Sequence, residues 1–391
     1  MGIVVGLTLS LLAVLSSLGA FSILVYLSLT HARAPRFSES IKRTQRVDQE
    51  RPLVSIVVTA RNEVDKISKC LDSLSSQAYP NLEIIVVDDS STDGTRKIVS
   101  QKAIIDPRIK LVDGGERQEG WVGKSWPCWR GYTYAAGPLL LFVDADSQFG
   151  PTAVQEAVGY LLSKNYDVLS ISPRVKMKGV WASATLPLVS GAIDLLYPMT
   201  KVNDPHNRRA YVFGTFILIR RGVYEAIDGH RGVRALLVED AALAQAAKSK
   251  GYALRVEIGT EFLSTDWEHE RSKIYSGLER ITSSSIKSYG LASNLNAVLL
   301  FFIAIYPILF LLGFAIDPND ELIVGAIASI LNVVFFLTIF STETKLIAES
   351  VGVAPFLYPL GALIFMSAII TTSIKLKRGA GIQWKDRSYR Q

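Results

Sequence analysis

Residues 2–30 carry no charged side chain, and no other feature of the chain limits its fold so strongly. At ~1.5 Å of rise per residue, such a run crosses the ~30 Å hydrocarbon core of a bilayer as one helix. A cleaved signal peptide is the rival reading. The run is longer than a usual signal h-region, has no basic segment before it and no clear small-residue cleavage site after it, so a retained anchor over residues 1–30 is expected. Composition agrees. Of the 391 residues, 49% are hydrophobic and 20% charged, and the mean hydropathy is +0.26, too apolar for a wholly soluble or a disordered chain.

Three further apolar runs, at residues 297–316, 322–341 and 353–374, lie at the other end, so a C-terminal membrane region is expected at 293–375. Charge gives the orientation. Arg33, Arg36, Lys42, Arg43, Arg46 and Arg51 make residues 31–51 a basic juxtamembrane linker, which places the central region on the cytoplasmic side of a multi-pass cell-membrane protein. The net charge of +6 therefore flanks the membrane, and no nucleic-acid partner is expected. A conflict follows. Three full C-terminal spans would put the basic tail, 376–391, outside with Lys377, Arg378, Lys385, Arg387 and Arg390, so one run is expected to be re-entrant or interfacial, within residues 342–358. Cys70 and Cys128 form no CxxC pair, which excludes a zinc ribbon and a disulfide scaffold and fits a reducing compartment.

Residues 52–265 read differently. Short β-branched runs at 53–58, 82–87, 109–112, 139–143 and 167–171 alternate with helical patterns near 67–74, 92–103, 124–136 and 150–163, the helix at 92 opened by a Ser/Thr cap. Repeated βα units predict an α/β fold with a mostly parallel sheet, helices on both faces and ligands at the carboxyl ends of the strands. At those ends stand Ala60, Arg61, Asn62 and Glu63, then Asp88 and Asp89, then Asp144 and Asp146. Period-two alternation lets Asp144 and Asp146 face one hard divalent cation, Mg²⁺ or Mn²⁺, with water and phosphate oxygens completing its shell. Alone, that pair reads more simply as a strand end and a helix cap, and Asp88-Asp89-Ser90-Ser91 as turn material.

The combination is more specific. Val57-Val58-Thr59-Ala60-Arg61-Asn62-Glu63, Val86-Val87-Asp88-Asp89-Ser90-Ser91-Thr92-Asp93-Gly94-Thr95, Asp144-Ala145-Asp146, Gly214-Thr215-Phe216 and Val238-Glu239-Asp240 occur in an order and spacing that resembles family 2 glycosyltransferases of the GT-A nucleotide-sugar fold, over residues 52–259. The resemblance implies that Ala60, Arg61 and Glu63 line a nucleotide pocket, that Asp88 or Asp89 holds the base, that Asp144 lies near the ribose, that Asp146 binds the metal and that Asp240 is the catalytic base. It also implies an inverting displacement on a nucleotide-sugar donor, with a UDP-sugar favoured. Gly120-Trp121-Val122-Gly123-Lys124-Ser125-Trp126 and Trp384-Lys385-Asp386-Arg387-Ser388-Tyr389 look like the membrane branch that glycosylates lipids, similar to hopanoid-associated, carotenoid-acid and ceramide glycosyltransferases. In the second motif Asp386 departs from the Gly usual there. Lys124 is expected near the diphosphate, as a mobile point charge on a Gly-containing loop, against a plain helix-entry lysine in water.

The Q-x-x-R-W motif of processive synthases does not occur. In its place residues 266–292 offer an amphipathic basic segment suited to the interface, so transfer of a single sugar to a lipid acceptor is expected, with a processive polysaccharide synthase as the alternative. A nucleotide-sensing membrane protein and a glycosidase are more distant rivals. Residues 180–197 are read either as a membrane-surface element or as a buried core helix, and His230 as a turn residue or a minor metal or diphosphate contact.

Overall fold

The computed structural model describes residues 2–43, 51–266, 270–289, 291–348, 350–384 and 387–389. Along the chain run α1 (Gly2–Ala32), α2 (Phe37–Lys42), β1 (Val54–Ala60), α3 (Ile67–Ser75), β2 (Leu82–Asp88), α4 (Thr95–Ile105), β3 (Ile109–Asp113), α5 (Ser125–Tyr134), β4 (Leu139–Asp144), β5 (Ser147–Phe149), α6 (Ala153–Ser163), β6 (Val168–Ser172) and β7 (Arg174–Lys176). Then come α7 (Gly179–Leu196), α8 (Met199–Val202), β8 (Ile217–Arg220), α9 (Arg221–Ala226), α10 (Gly229–Gly232), α11 (Glu239–Ser249), β9 (Leu254–Ile258), β10 (Leu263–Asp266), α12 (Arg271–Tyr289), α13 (Leu291–Ile316), α14 (Ile323–Ile347), α15 (Tyr358–Lys377), β11 (Ile382–Trp384) and β12 (Arg387–Tyr389). Two compact units result: an α/β unit of Ala34–Lys176 and Tyr197–Asp266, and a helical unit of Met1–Arg33, Met177–Leu196 and Trp267–Gln391.

The α/β unit is built on a seven-stranded sheet in the order β3-β2-β1-β4-β8-β6-β9. Strands β1, β2, β3 and β4 are parallel, β9 is parallel to β6, and β8 runs antiparallel to both β4 and β6. The mostly parallel α/β reading therefore holds. Alternation along each strand builds two cores: Ile56, Val58, Ile84 and Leu141 face α3, α4 and α6, while Val57, Ile85, Leu140 and Phe142 face α5, α9 and α11. Burial of each such side chain contributes ~1.5–3 kcal/mol toward the entropy of ordering the chain.

Several local expectations shift. Helix α4 starts at Thr95, and no side chain of its Gly94 cap closes it; Asp93 accepts the Thr95 N–H instead, at 2.9 Å. The stretch after Asp146 forms strand β5 before α6, and it pairs with β10 in a small sheet, β5-β10-β7. The basic linker expected over 31–51 is partly folded: Phe37 is fully buried against Tyr160 and Phe262, and the Ile258 N–H donates to Pro35 O. An aromatic anchor, invisible to a charge count, ties residues 34–42 into the α/β unit. Residues 44–50, which include Arg46, lie outside the described residues, as do Lys385, Asp386, Arg390 and Gln391.

In the helical unit, α1 meets α13 and α14 through small residues. Ser10, Ala13, Ser17 and Ala20 are buried on one stripe of α1, while Ile3, Leu7, Leu11 and Leu18 are exposed. Small side chains let helix backbones approach where lipid removes the hydrophobic drive, and outward leucines suit acyl chains. Within the contact the Ser16 hydroxyl donates to Ile303 O at 3.0 Å and the Asn332 amide donates to Ser16 at 3.1 Å. Among the described residues five helices are long and apolar enough to cross a membrane, the expected anchor and C-terminal runs plus the segment containing α7. Helix α7 belongs to the helical unit and is not a core helix of the α/β unit.

Candidate active site

Parallel register brings the first three loops together. Ala60 at the end of β1 pairs with Asp88 at the end of β2, and Thr59 pairs with Asp144 at the end of β4. The loop after β1 then locks onto the loop after β2. Arg61 Nη1 donates to Asp89 O at 2.7 Å, the Asn62 N–H donates to Ser91 Oγ, the Thr92 N–H donates to Asn62 Oδ1, and the Glu63 N–H donates to Thr95 Oγ1. Asn62 and Ser90 both take left-handed φ, +53° and +58°, a conformation that asparagine tolerates and serine rarely adopts.

The two aspartates after β2 are buried and serve different partners. Asp88 accepts from the Ser91 N–H and faces Arg96 at 3.5 Å. The backbone N–H of Asp89 donates to Ala60 O, and its carboxylate accepts from Arg117 Nη2 at 3.0 Å. Arg117 was not singled out from sequence; it lies 28 residues away from Asp89, beyond any local motif.

Beyond β1 the second group of carboxylates converges. Asp144 Oδ1 lies 2.6 Å from Lys124 Nζ, which also donates to Gly214 O at 3.2 Å. Gly120 and Gly123 turn the loop through φ of +82° and +57°, so that Lys124 enters at the head of α5. The lysine is paired at the end of β4, with its side chain 12% exposed. Burial disfavours its charge, but Asp144 and Glu239 raise its pKa above the usual lysine value. A Cβ on Gly214 would stand 3.0 Å from Asp240 Oδ2, so Asp240, in the first turn of α11, abuts the same backbone that Lys124 grips. Asp144 and Asp240 are 96 residues apart by their numbers, yet Lys124, the partner of Asp144, and Asp240 both meet Gly214.

Asp146 leaves the strand in the turn after β4. Its Oδ1 accepts from Thr265 Oγ1 at 3.1 Å and its Oδ2 lies 3.7 Å from Lys66 Nζ. Burial and the neighbouring Asp144 push its pKa up to about 7 against the pull of Lys66, the mark of carboxylates crowded beyond their cationic support. The oxygen-only donor set of Asp144 and Asp146 fits a hard cation such as Mg²⁺ or Mn²⁺ that keeps water and phosphate oxygens in its shell. Lys66 and Thr265 were missed from sequence: Lys66 opens an ordinary amphipathic helix, and Thr265 reaches the site only because β10 pairs with β5.

His230 is enclosed by the α/β core. It is 1% exposed, its Nδ1 is 2.9 Å from Tyr224 Oη, and its ring packs edge-on to Phe142. Burial, with Lys124 nearby, lowers its pKa to about 3.

A carboxylate-lined edge on this sheet order defines the GT-A class of fold. In a solved structure titled Mannosyltransferase PcManGT from Pyrobaculum calidifontis in complex with GDP-Man and Mn²⁺, 99% of the chain aligns with 93% of this one at a TM-score of 0.61 and 18% identity. Residues 55–228 match the family model described as Glycosyl transferase family 2. Among curated relatives, the 4,4'-diaponeurosporenoate glycosyltransferase of Staphylococcus aureus (strain bovine RF122 / ET3-1) is 29% identical over 219 residues, 54% of this chain and 55% of that protein. The protein of the same name from strain N315 is 28% identical over 230 residues, 57% of this chain and 58% of its own length. The chain thus spans little more than half the length of the curated relatives it matches.

Proposed function

We propose that this protein is a membrane-embedded glycosyltransferase that moves one sugar, with inversion, from a nucleotide-sugar donor to a hydroxyl or acid group of a lipid acceptor at the cytosolic face. The observation that carries this reading is that Lys124, paired with Asp144, and Asp240 both meet Gly214. Asp88, Asp89 and Arg61 shape the nucleotide pocket from the neighbouring strand ends. Lys124 counters negative charge as the nucleoside diphosphate leaves, and the paired Asp144 orients it. Asp240 takes the proton of an acceptor hydroxyl as it attacks the anomeric carbon. Asp144 and Asp146 would hold a divalent cation, which would supply positive charge toward the diphosphate. A UDP-sugar is the favoured donor.

The acceptor class rests on the curated relatives, named for transfer to a diaponeurosporenoate, and on the helical unit. There a hollow lined by Trp181, Arg271, Ile274, Tyr275, Ile364 and Ser367 sets the Arg271 guanidinium 5.0 Å from the Trp181 ring, a setting for an acidic head on an apolar body. Topology supports one cytosolic face. Strands that precede and follow α7 share one sheet, since β4 pairs with β8. Lys375 near the end of α15 pairs with Glu279 of α12 at 2.7 Å, and α12 precedes the first C-terminal span. Both ends of α13–α15 therefore lie on one side, which requires one of the three to lie along the interface. The stretch within 342–358 or helix α15 fills that role.

The test is incubation of membranes holding the wild type or Asp146→Ala with radiolabelled nucleotide sugars and Mg²⁺ or Mn²⁺, followed by lipid extraction. Label in the organic phase from one donor, absent in the variant, supports the reading. Label only in long insoluble polymer favours a processive synthase, and failure to bind any nucleotide removes the enzyme reading.

A further inference from the structure

The C-terminal ends of three helices in the helical unit meet at a cluster that the proposed transfer does not use. His31 lies in the last turn of α1, Asp194 near the end of α7 and Glu343 near the end of α14. His31 Nε2 is 3.0 Å from Asp194 Oδ2 and 3.2 Å from Glu343 Oε1. One ligand atom from each residue lies within 4.8 Å of the others.

The electrostatics are unfavourable as they stand. Two carboxylates sit where helix dipoles already place partial negative charge, about half an elementary charge at each C-terminus. Among the described residues, the ion pairs of Asp194 and Glu343 are both made to the one imidazole. The Glu343 side chain is 1% exposed and neither oxygen accepts a well-formed hydrogen bond, with the Ser190 hydroxyl a further polar neighbour. A buried carboxylate without such bonds is costly unless a cation or a proton satisfies it.

We propose that His31, Asp194 and Glu343 form a divalent-cation site, separate from the sheet-edge carboxylates, that clamps the ends of α1, α7 and α14 together. One imidazole and two carboxylates suit a borderline ion such as Zn²⁺ better than Mg²⁺. The two N···O separations also approach the roughly 3.3 Å edge of a tetrahedron with ~2.0 Å metal–ligand bonds. A water or a fourth ligand completes the shell.

The experiment uses the full chain in detergent, stripped with chelator and titrated with Zn²⁺, with Co²⁺ as a spectroscopic probe. Wild type and Asp146→Asn should bind one tight equivalent, show Co²⁺ absorption bands and melt at higher temperature with Zn²⁺. Glu343→Gln, which preserves shape, and His31→Gln should lose that equivalent, with affinity down by about a hundredfold or more, while still folding by circular dichroism. Equal Zn²⁺ binding in all four proteins would overturn the proposal. So would a wild type that binds no Zn²⁺ together with a Glu343→Gln variant that melts higher, since the cluster would then be a carboxyl group satisfied by a proton.

Discussion

Lys124 Nζ lies 2.6 Å from Asp144 Oδ1 and also donates to the carbonyl of Gly214. One buried amino group thus joins the end of β4 to the segment that leads into β8, and through Gly214 it fixes the floor on which Asp240 rests. Five expectations follow from this arrangement and its surroundings.

Replacing Lys124 by Met removes a charge-assisted pair from a largely buried position. Unfolding free energy should fall by about 2 kcal/mol, and sugar transfer by about a hundredfold, since the leaving diphosphate loses a preorganised cation. Denaturant melts and initial rates on the same preparation check both. Unchanged transfer with lowered stability would reduce Lys124 to a structural role.

Asp240→Asn keeps the volume against Gly214 but removes the base. Donor affinity should stay within about twofold, while transfer to a hydroxyl acceptor drops by roughly a thousandfold. With a carboxylic-acid acceptor the loss should be smaller, because that nucleophile is already ionised at neutral pH. Equal losses for the two acceptor types would argue against proton abstraction by Asp240.

Asp146→Asn should raise the Mn²⁺ concentration needed for half-maximal transfer by about tenfold or more, since a neutral amide is a poor ligand for a hard cation. A metal titration at saturating donor reads this directly, and an unshifted curve would remove Asp146 from the cation site.

Gly214→Ala places a methyl group 3.0 Å from Asp240 Oδ2. The carboxylate end can swing away, so the melting temperature should change little while transfer falls by about tenfold through misplacement of the base. A large stability loss with normal turnover per folded molecule is the contrary result.

His230 sets an acid limit. Burial first, and Lys124 second, put its folded-state pKa at about 3, below the ordinary 6.5. The unfolded chain therefore binds more protons between those values, so the contribution is complete above pH 6.5 and is lost as pH falls toward 3. At pH 5 the loss is about 2 kcal/mol. His230→Asn should flatten the stability profile of the protein across that window, and a slope equal to wild type would assign the acid sensitivity elsewhere.

Much of this was present in the order of residues. Strand and helix alternation is written in side-chain periodicity, which by itself puts Asp88, Asp89, Asp144 and Asp146 at strand ends, because a parallel βα repeat leaves few other places for them. The uncharged run in α1 likewise depends on length and composition alone. Other contacts required chain segments distant in sequence to meet. The partners of Asp146, Lys66 and Thr265, are separated from it by 80 and 119 positions. The antiparallel insertion of β8, which brings Gly214 to Lys124, leaves no periodic trace. His230 looked like a loop residue until Tyr224 and Phe142 enclosed it, and Phe37 looked like part of a basic linker until it entered the core. Local pattern determines which residues form strands and helices, because those preferences act over a few positions. Which charges face one another depends on register and strand order, and those are decided by the packing of the whole domain.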